Sequence, residues 1–440
     1  MIDWYVILFL AITLLIFHMK EFGEHTSPAD YMQTQGKIPV SKGTISLLFQ
    51  LITGTFLFIP FYFTMHYSYL SGLAIALSGG FILFLFSRKI ESLNVLLCKA
   101  GERKDYFKTV FTKNGRFAFY FILFMASCEG LIVSILLACS FMESVFYISS
   151  YWTSAFLLSF GFVFAGMGGV QGIQKVGAWL MAFFFIGVTM IPLTTYLIHG
   201  VQSTYLNFVR NNSVDFGAGS FILACFLFML FMAAQLMVYF FISPDLSSMK
   251  KNRLKITVSL SAICWSAVPL SVTVIVVYLL SVTERADLLS GITQQLSPPL
   301  LYILIVSVLS SFALGIGISL HKLTSLIFMV FPGRFTVRKS YFFNLFLCLL
   351  TMFTMLVFKP TLYATFIFYL NFFVSLAFAL WLLVKSNVQW GIEFSLILVL
   401  FVLIGCWVSF AFKEMTGPII SFALSGITLF VVFVRKVRKI

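Results

Sequence analysis

The chain has 440 residues, of which 60% are hydrophobic and only 10% charged. Soluble domains average ~45–50% apolar and ~25% charged residues, so a soluble globular protein, a disordered chain and a nucleic-acid reader are excluded. The net charge of +14 is spread over short segments between apolar runs, where basic residues orient spans in a bilayer.

Apolar runs of about 20 residues, enough to cross a ~30 Å hydrocarbon core, recur thirteen times. In chain order they are 2–18, 43–64, 67–87, 117–140, 148–166, 176–199, 217–242, 256–282, 299–320, 341–358, 361–384, 391–412 and 416–434. They are continuously apolar, unlike the alternating strands of a membrane barrel. The first run has Asp3 instead of a basic leader and no small-residue cleavage site before His18-Met19-Lys20, so it reads as a retained span. With the N-terminus outside and the spans alternating, 25 of the 29 Lys and Arg fall on the inner side. Only Arg210, Arg285, Lys359 and Lys413 fall outside. That asymmetry predicts a multi-pass protein of the plasma (inner) membrane, N-terminus out and C-terminus in. The longest loop, 88–116, is basic and reads as a helix lying on the inner leaflet. No loop is large enough for a second domain, so the prediction is one all-α polytopic bundle of about 13 helices.

Chemical motifs are absent. The chain carries no HExxH, GxSxG or Walker loop, no CxxC among its seven cysteines, and no two histidines at i, i+4. The expectation is no catalytic residue, no metal site and no cofactor, hence a protein that moves something across the bilayer rather than an enzyme. Asn211-Asn212-Ser213 is a glycosylation sequon in an outer loop.

Four spans carry polar groups that need an explanation. Span 43–64 reads Gln50-Leu51-Ile52-Thr53-Gly54-Thr55, then Pro60. Gly and Pro weaken helical hydrogen bonding, which predicts an unwound segment facing a solute; small residues at a helix interface are the alternative. Span 117–140 holds Glu129, the clearly mid-span acid, with no Lys or Arg at a span centre to oppose it. Three roles are open for Glu129: proton carrier, partner of a cationic solute, or protonated hydrogen-bonder. Span 217–242 holds Gln235 and Tyr239; an amide is costly to bury unpaired, so Gln235 should face the interior. Span 299–320 offers the hydroxyls of Ser307, Ser310 and Ser311.

Three stretches resemble the sodium:solute symporter family. Ala29-Asp30-Tyr31-Met32 followed by Gly36-Lys37 resembles the entry to that family's first core helix, with Lys for the usual Arg. Gly166-Met167-Gly168-Gly169-Val170-Gln171-Gly172 resembles its Gly-Gly loop, with Lys175-Val176 where a Thr-Asp usually follows. Ser307-Val308-Leu309-Ser310-Ser311 resembles its hydroxyl-rich eighth core helix, with Val308 at a position that is usually a hydroxyl. The resemblance implies a divergent member with a leucine-transporter-like inverted repeat of five plus five helices, residues ~40–199 and ~217–384, with one extra helix before and two after (391–440). It further implies ion-driven transport of a small organic solute, coupled to Na+ or H+. The substrate site would comprise Gln50, Thr53, Gly54, Thr55, Glu129, Gln235 and Tyr239, and the ion site Ser307, Ser310 and Ser311. Other readings remain at this point: a lipid-linked oligosaccharide flippase, a membrane-bound acyltransferase using His321, and a ligand sensor that does not transport. The partners expected are the solute and the lipid bilayer, with no nucleic acid; the oligomeric state is open.

Overall fold

The computed structural model describes residues 4–22, 27–32, 38–67, 69–97, 102–211, 218–242, 251–282, 292, 295–331, 333, 335–385, 388–412 and 415–437. Gly36, Lys37 and the Asn212-Ser213 half of the sequon lie outside them. The chain is almost wholly helical. Its first part comprises α1 (Trp4–Phe17), α2 (Pro28–Met32), α3 (Val40–Leu51), α4 (Gly54–His66), α5 (Tyr69–Leu97), α6 (Glu102–Val110), α7 (Lys113–Phe146) and α8 (Ser150–Gly161). After a π-helical turn (Phe162–Met167) come α9 (Gly169–His199), α10 (Val201–Asn211), α11 (Ala218–Ile242) and α12 (Lys251–Val282). The last part is α13 (Pro298–Val330), α14 (Val337–Phe358), α15 (Leu362–Lys385), α16 (Glu393–Ala411) and α17 (Thr416–Val437).

Local sequence sets several boundaries. Thr112 caps α7 by accepting from the Gly115 amide at 3.2 Å, and Tyr147 ends it in the left-handed conformation, which closes the last turn onto the Glu143 carbonyl. Pro298 and Pro299 open α13, where their missing N–H groups cost nothing.

Among the described residues, eleven helices are long and apolar enough to cross a membrane. A further pair, α3 and α4, passes that test together but is bent by 62°. The thirteen expected spans thus become eleven, or twelve with the bent pair. At 14 residues α1 is shorter, about 21 Å at 1.5 Å per residue. The loop expected over 88–116 is shorter too, because α5 continues to Leu97 and α6 occupies its second half.

Burial separates centre from periphery. Of the most apolar 18 residues of each helix, 83% are buried in α13, 78% in α15 and 67% in α7, against 22% in α14 and 28% in α17. The middle of the bundle is therefore α7, α13 and α15, with the bent pair lodged beside them. The final two helices are tied on at one end. Trp390, fully buried, exchanges backbone hydrogen bonds with Val110 and Thr112, while Lys436 pairs with Glu393 and lies over the Trp390 ring.

Candidate functional site

The chain between α3 and α4 leaves the helix for two residues. Ile52 and Thr53 are extended or irregular (φ/ψ −91/85 and −104/170). An interrupted helix exposes the last carbonyls of one half and the first amides of the other, which need partners when buried. Both ends find one. At the start of α4 the Gly54 amide donates to Ser134 Oγ at 3.2 Å. The Thr53 hydroxyl donates to Glu129 Oε1 at 3.0 Å, while the buried Thr55 hydroxyl beside it has no hydrogen-bond partner. A carboxylate belongs at a helix N-terminus, where the dipole is positive. At the end of α3 the Lys322 ammonium donates to the Gln50 carbonyl at 3.3 Å, and a cation belongs at that negative end. The break is thus met by a carboxyl group from α7 at one end and an ammonium from α13 at the other.

Close packing fixes these charges in place. A Cβ on Gly54 would lie 2.7 Å from the Ser134 Cα, backbone against backbone. A Cβ on Gly130 would lie 2.5 Å from Ser319 Oγ and 3.1 Å from the Gly315 carbonyl. Glycine at 54 and 130 lets α4, α7 and α13 approach closely enough for side chains on all three to meet at the break.

The expected site residues separate into groups. Gln50, Thr53, Gly54, Thr55 and Glu129 are brought together, and all are buried. Gln235 is buried on α11, and its Oε1 has no hydrogen-bond partner, as is true of the Gln50 Oε1. Tyr239 is fully buried one turn further along α11. Ser307 donates to the Phe184 carbonyl at 2.9 Å and lines a cavity described below. Ser310 faces a groove shared with Ile7, Leu10 and Leu14 of α1. Ser311 is fully buried with no hydrogen-bond partner, one turn from Gly315 on the same face of α13.

Lys322 escapes a reading that places basic residues in loops. The apolar run from Leu323 to Phe331, broken by Thr324 and Ser325, is the signal that α13 continues past it. His321, the acyl-transfer candidate, is buried with its ring 5.9 Å from that of Tyr31.

A cavity of about 180 Å³ lies between the second half of α4 and α7, α9, α12 and α13. Leu57, Phe61, Leu137, Phe184 and Phe312 make its wall mostly apolar, with Ser140, Ser271 and Ser307 as its hydroxyls. All its lining segments belong to the Tyr67–Pro298 end of the bundle. The opposite end carries, among the described residues, a hydrogen-bonded closure. Tyr31 is fully buried, and its hydroxyl donates to the Gly166 carbonyl at 2.9 Å. Asn344 donates to the Tyr31 oxygen at 3.1 Å and to the Gly166 carbonyl at 3.2 Å, while Thr324 donates to Asn344 Oδ1 at 2.8 Å. Two of the sequence stretches singled out above, around Tyr31 and Gly166, therefore meet at this closure.

The architecture is that of a polytopic membrane helix bundle of the kind found in secondary transporters. A Na+-coupled sialic acid symporter in a substrate-bound outward-open state superimposes with a TM-score of 0.70 at 12% identity, over 96% of this chain and 95% of that one. A mutant of the Eremococcus coleocola manganese transporter gives 0.60 at 10% identity, over 94% of this chain and all of that one. At these identities the likeness is one of fold. No family model matches the chain, and no curated protein matches it.

Proposed function

We propose that the chain is a secondary active transporter of a small organic solute, driven by a sodium or proton gradient and working by alternating access around a mid-membrane site. The observation that carries this reading is the bent α3–α4 pair, whose break holds Thr53, Thr55 and Glu129, with a cavity lined by the second half of α4 beyond it. Irregular backbone at membrane depth is tolerated where protein or a cavity surrounds it, and broken helices are where such transporters bind their cargo. The shared fold with a sodium-coupled symporter supports the same reading.

In this reading the protein is a divergent relative of the sodium:solute symporters. Its repeats run over ~40–199 and ~217–384, followed by two extra helices. The N-terminus faces out and the C-terminus in, so that the cavity faces out and the Tyr31 closure faces in. Gln50, Thr53, Gly54, Thr55 and Glu129 form the centre of the solute site, with Gln235 and Tyr239 contributing from α11. Of the three serines, Ser311 fits an ion-facing role best, since its buried hydroxyl has no partner; Ser307 serves the cavity wall. The mostly apolar wall suits a solute with a sizeable apolar part.

Reconstitution into proteoliposomes tests the proposal. Currents or accumulation are measured across a panel of amino acids, sugars, carboxylates and nucleobases, under imposed sodium or proton gradients. Gradient-dependent accumulation that disappears in Glu129→Ala is the expected result. Saturable binding without accumulation under either gradient would make the chain a sensor instead.

A further inference from the structure

The break between α3 and α4 places a row of carbonyls at the C-terminal end of α3, where the last ones have no amide within the helix to accept from. In a membrane interior such a negative helix end needs a positive charge, and two sources are available: a bound ion or the chain itself. Here the chain reaches it. Lys322 comes from the most enclosed helix of the bundle, α13, and its Nζ lies 3.3 Å from the Gln50 carbonyl. The carboxyl group that balances it, Glu129, is 3% exposed and already held by Thr53.

We infer that Lys322 is a tethered cation: its ammonium takes the place at the α3 terminus that a monovalent metal ion would otherwise fill, so the helix break binds no sodium. The inference rests on the transporter reading and narrows its choice of driving ion. The charge balance supports it. The Lys322 ammonium already places one positive charge at the α3 terminus, and a sodium ion added beside it would put two cations together in a medium of low dielectric constant. The titratable groups around the break include Cys128 and Glu129 of α7, Lys322 of α13 and Tyr369 of α15. Among the described residues none of these supplies a second carboxylate for a second cation. Of the hydroxyls expected to bind sodium, Ser307 is satisfied by Phe184 and Ser310 is turned toward α1, which leaves Ser311 as a single hydroxyl for an ion that takes several oxygens.

The test needs no knowledge of the solute. Full-length protein purified in detergent is melted in sodium, potassium and choline chloride at equal ionic strength, and 22Na+ binding is measured in parallel. The wild-type chain is expected to melt at one temperature in all three salts and to bind no 22Na+. Lys322→Ala opens the place of the ammonium; it should melt lower in choline and recover by roughly 5 °C in sodium alone. A sodium-specific rise in the wild type overturns the inference, and so does a Lys322→Ala chain that sodium does not stabilise. Should Lys322→Ala not fold, Lys322→Arg and the charge-free pair Lys322→Met with Glu129→Gln decide instead. Both should fold and ignore sodium, and a sodium response in Lys322→Arg overturns the inference. These readouts stand apart from any uptake assay, so absence of transport would leave them informative.

Discussion

Thr53 and Glu129, 76 residues apart in the chain, share a hydrogen bond at 3.0 Å inside the bundle. This contact joins the non-helical link of the bent pair to the central helix α7. Because Glu129 also balances Lys322, it ties three helices to one carboxyl group. Removing Glu129 leaves the buried Thr53 hydroxyl without its acceptor, at a cost of ~1–3 kcal/mol. Glu129→Ala should therefore lower the melting temperature sharply. Adding Lys322→Met to it should restore part of the loss, giving a coupling energy of about 0.5–3 kcal/mol in a double-mutant cycle. Strictly additive losses would show that the two charges do not depend on one another.

Gly54→Ala should be poorly tolerated although alanine is the better helix former. Its methyl group would meet the Ser134 backbone at 2.7 Å, so α4 or α7 must shift, at a cost of ~1–3 kcal/mol. Thermal melting of Gly54→Ala checks this, with Gly219→Ala as the control, since a Cβ there meets nothing within 4 Å.

The closure around Tyr31 makes a prediction about alkaline pH. Burial raises the Tyr31 phenol above its ordinary value. A group whose folded value is raised contributes stability that is complete below the unfolded value of about 10 and is lost as pH rises beyond it. Wild-type melting temperature should fall more steeply above about pH 10 than that of Tyr31→Phe. At neutral pH Tyr31→Phe should be the less stable by ~0.5–1.5 kcal/mol, because the Gly166 carbonyl keeps only its Asn344 donor. Parallel slopes for the two proteins would remove Tyr31 as the source of the pH effect.

Accessibility tests the sidedness of the cavity. In a chain without its native cysteines, Ser307→Cys and Leu137→Cys line the cavity, and Thr324→Cys lies in the Tyr31 closure. A membrane-impermeant thiol reagent applied to whole cells should modify the first two at least ~10-fold faster than the third. Reversed rates would invert the orientation proposed here.

The spans and the bend were legible in the sequence because each depends on local chemistry. Runs of apolar residues set the helices, and Thr53-Gly54 marks where one helix cannot continue, whereas α4 runs on through Pro60. The counter-charge was not legible. A lysine near the end of an apolar run reads as a loop residue, and only the continuation of α13 to Val330 puts Lys322 inside the bundle. The contacts of Tyr31 with Gly166 and Asn344 span 135 and 313 residues; no periodicity encodes pairings at such distances. The serines were visible as polar residues, but which way each one faces depends on the rotation of α13 against its neighbours, a property of packing rather than of sequence.

The wide turn at Phe162–Met167 ties the inner closure to helix pitch. A π-helical turn holds one residue more than an α-helical turn would, and it tips carbonyls away from the axis. Tyr31 and Asn344 both take up the Gly166 carbonyl that this tipping presents. Winding the segment into regular α-helix would withdraw that acceptor and turn the preceding helix by about 100°, so the latch and the screw axis of α8 cannot be reset independently.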